Sequence, residues 1–522
     1  MADSDRSQTG AEALVSTLAD QGVTACFANP GTSEMHLVTA LDREPKIHSV
    51  LCLFEGVTTG AADGFARVTG EPAMTLLHLG AGYMNAGANI HNAKRAWTPM
   101  INVIGDHAVP HQRYDAPLTS DIRGLAGPNH VWIKSADSVS TVGELAAEAW
   151  EASLAPVSGP AALLLPADTA WLEGAEPGKV RARPMKRALD AGKVEKAARA
   201  IKAAKSPVII INGSALVGDG LEQAARLKAA GVRIITDTFF GRQSRGAGRF
   251  APERLAYFAE GAMADLEGVD LMIVAGSQLP VAFFAYPGKP SLLVPEGCAT
   301  QIMCGPESDA GAALGALADE LGAKAAAPVV ELSLPDAPTG GLNGAAVAAS
   351  IARHMPEGTF VSDDGVSNSL PSFMMTQAAR PHDWMMLTGG AIGQGMPLAL
   401  GASVAAPDNQ VLCLSGDGAG MYTAQALWSM AREGANVVTV VFVNHSYRIL
   451  NIELARTGAG NPGPTAKSLL ELGQPEIDWV ALSQSMGVPA VATATAEAFD
   501  AALEKAFAAE GPQLIAAHVP AR

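Results

Sequence analysis

One repeated pattern limits the fold of this chain more than anything else: a short apolar run, a glycine-bearing turn, then an amphipathic stretch of helical period. In the first third it reads as helix 11–20, strand 25–28, helix 34–41, strand 49–54, helix 57–69, strand 73–78, helix 85–96 and strand 100–104, closing with strand 161–165. Strand, turn and helix in repetition predict a parallel α/β sheet, because parallel neighbours need a crossover and a helix supplies it.

The pattern lapses twice. Residues 172–190 carry Gly174, Pro177, Gly178 and Pro184 among Lys and Arg, and residues 325–341 are rich in Ala and Pro, so both read as linkers. Between them a second unit shows helix 194–204 and strands 207–211, 233–236, 270–275 and 291–294. The third has helix 345–354, strands 359–363 and 410–414, helix 424–433 and strands 436–444 and 513–518. The prediction is therefore α/β, with three doubly wound parallel-sheet domains at 1–172, 190–325 and 341–522. No short fixed-period repeat is present.

Charge and cysteines narrow the partners. With 52 acidic against 36 basic residues the net charge is −16, which argues against nucleic-acid or anionic-membrane partners. The five cysteines are odd in number and widely spaced, so free thiols are expected. The apolar run 437–443 is far too short to span a bilayer, and the first ten residues lack the apolar core of a signal peptide. A cytoplasmic enzyme is expected.

The most informative local feature lies in the third unit. After strand 410–414 comes Ser415-Gly416-Asp417-Gly418-Ala419-Gly420, and the strand beyond the next helix ends in Val443-Asn444-His445-Ser446. Open α/β sheets bind ligands at the carboxyl ends of their strands. Glycines there let a diphosphate approach the backbone. Adjacent parallel strands would bring Asp417 and Asn444, 27 residues apart, side by side. A carboxylate, an amide oxygen and a backbone carbonyl, completed by phosphate and water oxygens, form a magnesium shell. Gly-Asp-Gly alone is equally well explained as a strand-to-helix turn; the correctly placed Asn makes the pattern specific.

That pattern resembles the cofactor motif of thiamine-diphosphate enzymes, which opens with Gly-Asp-Gly and closes with paired Asn. Val443 departs from the first Asn, while Asn444 matches the second, the family's metal ligand. The resemblance spans nearly the whole chain, in the order pyrimidine-binding, central and diphosphate-binding domain, and is closest to benzoylformate decarboxylases and acetolactate synthases. It implies thiamine diphosphate and Mg²⁺ as cofactors. Asp417, Asn444 and the Ser446 carbonyl would hold the metal, and Gly416, Gly418, Ala419 and Ser367 would lie along the diphosphate. Asp363-Asp364 precedes Ser367 and suggests a metal site, but this segment holds none in the family. In Gly389-Gly390-Ala391-Ile392-Gly393, the Gly390 carbonyl would accept from the 4′-amino group and Ile392 would wedge between the rings.

The first unit carries the complementary residues. Glu55, followed by Gly56-Val57-Thr58-Thr59-Gly60, is close to the family segment bearing the catalytic glutamate. A carboxyl group on N1′ of the pyrimidine favours the imino tautomer, which takes the proton from thiazolium C2. His78, in Leu77-His78-Leu79-Gly80-Ala81-Gly82, matches an active-site His; Thr32, in Asn29-Pro30-Gly31-Thr32, matches a residue that binds substrate carboxylate; Asn85 follows as a cofactor-site residue. The resemblance also implies a homodimer or homotetramer with active sites between chains, acting on a 2-oxo acid or aldehyde.

The substrate pattern is incomplete. Residues 280–288, with Phe283-Phe284, lack the second His of the decarboxylases. The Arg-Phe-Asp-Asp-Arg stretch of acetolactate synthases is absent as well, which argues against bound FAD. A flavin- or nucleotide-binding oxidoreductase is the competing class, and it needs a full Gly-x-Gly-x-x-Gly, of which Gly80 and Gly82 give only part. An inactive relative should have lost Glu55, Asp417 or Asn444, and all three are present.

Overall fold

Alternate residues of each strand serve different cores. In the strand Ala25–Ala28, Cys26 and Ala28 face one apolar cluster while Ala25 and Phe27 face another. Burial on both faces is what a parallel sheet with helices on each side requires. The computed structural model describes residues 7–458 and 460–521 and holds three such sheets.

The first sheet has six parallel strands in the order His48–Leu51, Ala25–Ala28, Ala73–Leu77, Met100–Asp106, Pro160–Pro166 and Trp132–Ser135. The second has five, in the order Glu253–Arg254, Arg233–Thr236, Pro207–Ile211, Leu271–Ala275 and Ala299–Cys304. The third has seven, and its centre runs His382–Met386, Thr359–Asp364, Val411–Gly416, Val437–Val443 and Gln513–His518. The α/β class and the sheet-by-sheet order follow the sequence reading.

The strands Trp132–Ser135, His382–Met386 and Ala490–Thr493 are not among those expected from it, and three further details differ. Residues 291–294 form no strand: Leu292 makes one isolated bridge to Val281 and stays half exposed. The sheet edge is filled instead by Ala299–Cys304, whose first four side chains are exposed or half-buried and give a weak apolar signal. Second, Gln243–Arg245, from the middle unit, pairs antiparallel with His382–Met386, so the third sheet borrows an edge strand across the domain boundary. Third, part of the first linker is ordered as Glu173–Ala175, paired with Gln8–Thr9.

The units share cores. One cluster joins Phe27, Val57 and Ala61 of the first unit to Leu398, Cys413 and Val441 of the third. At its centre the helix Glu55–Thr69 crosses the helix Gly395–Ala405. A Cβ at Gly64 would lie 2.0 Å from the Leu398 carbonyl oxygen, so the crossing requires glycine there. Beside it Asp63 and Arg67 form a buried ion pair at 2.8 Å. Arg67 also donates to the Met386 carbonyl and to Thr388, and Gln394 donates to Asp63. This network fixes both ends of the segment containing Gly390 and Ile392 against the first unit.

Candidate active site

The site residues gather at the carboxyl ends of the first and third sheets. Glu55 begins the helix Glu55–Thr69, just past the strand His48–Leu51 rather than inside it. Its carboxylate is buried, with 7 % of the residue exposed, and accepts from Asn85 Nδ2 at 3.0 Å. Asn85 thus reaches the site through Glu55. His78 caps the next helix, Leu79–Arg95. Leu79 adopts φ 49°, a left-handed conformation that costs a non-glycine residue about 1–2 kcal/mol. Val366 and His445 share this strain, so three of the five such non-glycine residues among the described ones border this site.

Glu34 is the residue that sequence reasoning missed. The predicted helix 34–41 starts one residue later, at Met35, and the Glu34 side chain turns back. Its buried carboxylate accepts from Gly31 N at 2.8 Å and Ser33 Oγ at 2.6 Å, and lies 2.8 Å from His78 Nδ1. A carboxylate can only accept, so Nδ1 carries the proton and Nε2 is left for a ligand. Gly31 permits this approach, since a Cβ there would lie 2.1 Å from Nδ1. Thr32 is exposed on the turn, and it is Ser33 whose hydroxyl lies 3.4 Å from Nδ1. A hydrophilic Asn-Pro-Gly loop gives no sign that its acidic residue will be buried.

In the third sheet, Val411–Gly416 and Val437–Val443 are neighbours with Gly416 opposite Phe442, which sets Asp417 beside Asn444. Asp417 Oδ2 accepts from the main chain of Asn444 at 3.1 Å and His445 at 2.7 Å, and Oδ1 from Gly418 at 2.9 Å. Burial nevertheless raises its pKa, against the lowering effect of those N–H groups. A cation would relieve that cost. Asn444 Oδ1 accepts from Ser446 N at 3.0 Å, which draws Ser446 against the same corner. This all-oxygen set suits Mg²⁺. The helix after the motif is a single turn, Asp417–Gly420. A Cβ at Gly416 would meet only Ala419 at 3.9 Å, leaving room above it, whereas one at Gly418 would strike the Tyr447 ring. Ala419 is buried behind them.

The remaining loops close around this corner. Thr423 Oγ1 donates to the Gly393 carbonyl, tying the Gly390–Ile392 loop to the residues after Asp417. Arg448 donates to Asn368, next to half-buried Ser367. Asp363 and Asp364 bind no common point: Asp363 accepts from Trp384 Nε1, and Asp364 Oδ2 accepts from Gly393 N and Gly395 N. They are loop anchors. From the middle unit, Phe283 lies over the loop, with Cζ 2.6 Å from where a Gly390 Cβ would stand. It stacks with Phe239, Tyr257 and Phe284, and at 40 % and 51 % exposure Phe283 and Phe284 form a wall rather than a core.

Comparison with known proteins shows the family. Residues 8–126 match the model of the thiamine pyrophosphate enzyme N-terminal TPP binding domain, and residues 368–517 match the C-terminal TPP binding domain. The IlvX protein of Mycobacterium tuberculosis, whose name assigns it provisionally to the acetolactate synthase large subunits, is 48% identical over 98% of this chain and 99% of its own. Benzoylformate decarboxylase of Pseudomonas aeruginosa is 27% identical over 95% and 96%. The solved thiamine diphosphate-dependent 4-hydroxybenzoylformate decarboxylase of Rhodococcus jostii superposes with a TM-score of 0.86 at 24% identity, covering 98% and 99%, and shares the fold. The chain therefore belongs to the thiamine-pyrophosphate enzyme family, in the branch of the acetolactate synthases and benzoylformate decarboxylases. The flavin or nucleotide oxidoreductase reading gains no support from these matches.

Proposed function

We propose that this enzyme uses thiamine diphosphate with Mg²⁺ to break or form the bond beside the carbonyl of a 2-oxo acid, in a homodimer or homotetramer whose sites lie between chains. The juxtaposition of Asp417 and Asn444 carries this reading. Asp417, Asn444 and the Ser446 carbonyl hold the metal, with Gly416, Gly418, Ala419 and Ser367 along the diphosphate. Thiamine diphosphate, when bound, would supply a nucleophilic carbon and an electron sink for the broken bond. Glu55 would exchange a proton with the pyrimidine ring, the Gly390 carbonyl would accept from its amino group, and Ile392 would support the cofactor from below. His78 moves a proton at the substrate through Nε2, and Thr32 and Ser33 stand beside it at the substrate carboxylate. Phe283 and Phe284 favour an apolar side chain on the substrate and place no proton donor on that side.

Two observations support sites between chains. Residues 394–401 of the same chain pack against Gly60, Asp63 and Gly64 of the helix Glu55–Thr69, whereas the Glu55 carboxylate is held by Asn85 of the first unit. Exposed apolar side chains also flank both halves, Leu53 and Met84 near Glu55, Met421 and Tyr422 near Asp417. Where such side chains join into a contiguous patch they mark a surface that a partner covers. No helix among the described residues is long and apolar enough to cross a membrane, and all five cysteines are free thiols. We place the enzyme in the cytoplasm on that basis.

The test is complementation. Glu55→Gln and Asp417→Ala proteins, each inactive alone, should regain activity after mixing and subunit exchange, because some hybrid sites are intact. Activity tested over a panel of 2-oxo acids, read as CO₂ or aldehyde release, identifies the side chain. A turning-over monomer, or no recovery after proven exchange, refutes the shared site.

A further inference from the structure

The loop that frames the proposed magnesium corner presents a second set of ligands on another side. Asn444, His445 and Ser446 follow the strand Val437–Val443, and His518 ends the neighbouring strand Gln513–His518, in register with Val443. The imidazoles of His445 and His518 therefore project from adjacent strand ends, with ring centroids 5.9 Å apart. Glu476 approaches from the loop before the helix Trp479–Ser485. One ligand atom from each of the three lies within 4.8 Å of the others.

These groups do not satisfy one another. His445 Nε2 and Glu476 Oε1 are 3.6 Å apart, beyond hydrogen-bond length. Two donors each about 2.1 Å from a four-coordinate zinc ion stand roughly 3.4 Å apart. The separation is thus close to that of two ligands around an ion. A cavity of about 260 Å³ adjoins the cluster, lined by Val443, Glu476, Asp478 and His518 among others. It leaves room for water at a fourth position. Two imidazole nitrogens and one carboxylate oxygen select Zn²⁺ or a similar transition metal over Mg²⁺, which prefers oxygen.

We propose that His445, Glu476 and His518 form a transition-metal site, with Zn²⁺ the best-matched ion. It goes beyond the thiamine chemistry, although it touches the same loop. The main-chain N–H of His445 donates to Asp417 Oδ2, and its carbonyl accepts from Leu472 N. An ion on the His445 ring ties together the loop after Asn444, the segment around Glu476 and the end of the last strand. Zn²⁺ thereby steadies the backbone that positions Asp417.

The experiment uses the full chain saturated with thiamine diphosphate and excess Mg²⁺, so that the Asp417 corner is filled. Zn²⁺ is titrated by calorimetry, and Co²⁺ serves as a spectroscopic probe. One Zn²⁺ per chain should bind and raise the melting temperature. Co²⁺ should give the intense visible bands of a four-coordinate nitrogen-containing site. Glu476→Ala, in an exposed loop, and His518→Gln should each weaken binding by at least about tenfold, a scale reached even by outer partners of metal ligands. Asp417→Ala, which keeps all three ligands, should still bind one Zn²⁺ per chain. Absence of stoichiometric binding overturns the site, as does parental affinity in both Glu476→Ala and His518→Gln. Loss of binding in Asp417→Ala together with parental affinity in Glu476→Ala and His518→Gln would assign the ion to the magnesium corner instead.

Discussion

The two halves of the proposed active site stand on similar parallel sheets but hold their carboxylates differently. At the first sheet, side chains hold side chains: Asn85 grips Glu55, and Glu34 grips His78. At the third, the backbone does the holding, with three main-chain N–H groups on Asp417. A carboxylate fixed by backbone donors keeps a set place and remaining lone pairs, which suits a cation. A carboxyl group or imidazole held by one side-chain partner keeps a face able to exchange a proton, which suits acid–base work. In the proposed site one architecture would thus provide anchoring on one sheet and proton transfer on the other. Asp417 is held by main-chain donors and Glu55 and His78 by side chains, while Glu34 behind His78 also accepts from Gly31 N.

Removing the anchor should have the largest effect. Asp417→Ala should abolish turnover and also the gain in melting temperature that thiamine diphosphate and Mg²⁺ give together. A full thermal shift in Asp417→Ala would place the metal elsewhere. On the proton-transfer side, Glu55→Gln should lower turnover by about 10²–10⁴-fold while cofactor binding changes little. Exchange of the thiamine C2 proton, followed by quench and NMR without substrate, should slow to match. Exchange at the parental rate with full occupancy would remove Glu55 from its role.

The anchoring half was the more legible in the sequence. Asp417 and Asn444 lie at the ends of strands whose continuous apolar runs fix their register, and Gly416 falls opposite Phe442 as adjacency predicts. The first half was legible only in part. Glu55 and His78 are motif residues, but Glu34 lies in a polar loop, and its role depends on Gly31 letting an imidazole come close. The network of Asp63, Arg67 and Gln394 joins residues 331 positions apart, a distance no local pattern reports. The edge strand Gln243–Arg245 escaped for the same reason, since its partner belongs to another unit.

Glu34 offers a smaller test of the proton-transfer half. Glu34→Gln keeps the shape but can present an amide N–H to Nδ1, which disturbs the ring's tautomer. A loss of about 10–100-fold in kcat is expected, the scale seen when a group orienting an imidazole is altered. His78→Ala should lose more, because it removes the imidazole itself. If Glu34→Gln behaves as the parent while His78→Ala does not, Ser33 and the loop backbone suffice to orient the ring.

The smallest effect expected concerns Asp364, which anchors the Gly390–Ile392 loop without touching a ligand. Its Oδ2 accepts two backbone N–H groups, while Oδ1 is buried with no partner among the described residues. Burial raises its pKa from 3.8 to about 7. A proton on Oδ1 leaves both backbone bonds intact, so the folded state binds that proton more tightly than the unfolded chain does. The sign follows by linkage: Asp364 contributes stability when protonated, and that contribution falls as pH rises from about 4 to about 7. Asp364→Asn keeps an oxygen for Gly393 and Gly395 and carries no charge. Its melting temperature should match the parent at or below about pH 4 and exceed it by a margin that grows up to about pH 7 and then stays constant. Asp364→Ala, which frees both N–H groups, should be less stable than either at every pH. A constant difference between Asp364→Asn and the parent across that range would show that Asp364 stays ionised in the folded protein, and that its two backbone bonds alone outweigh the cost of burial.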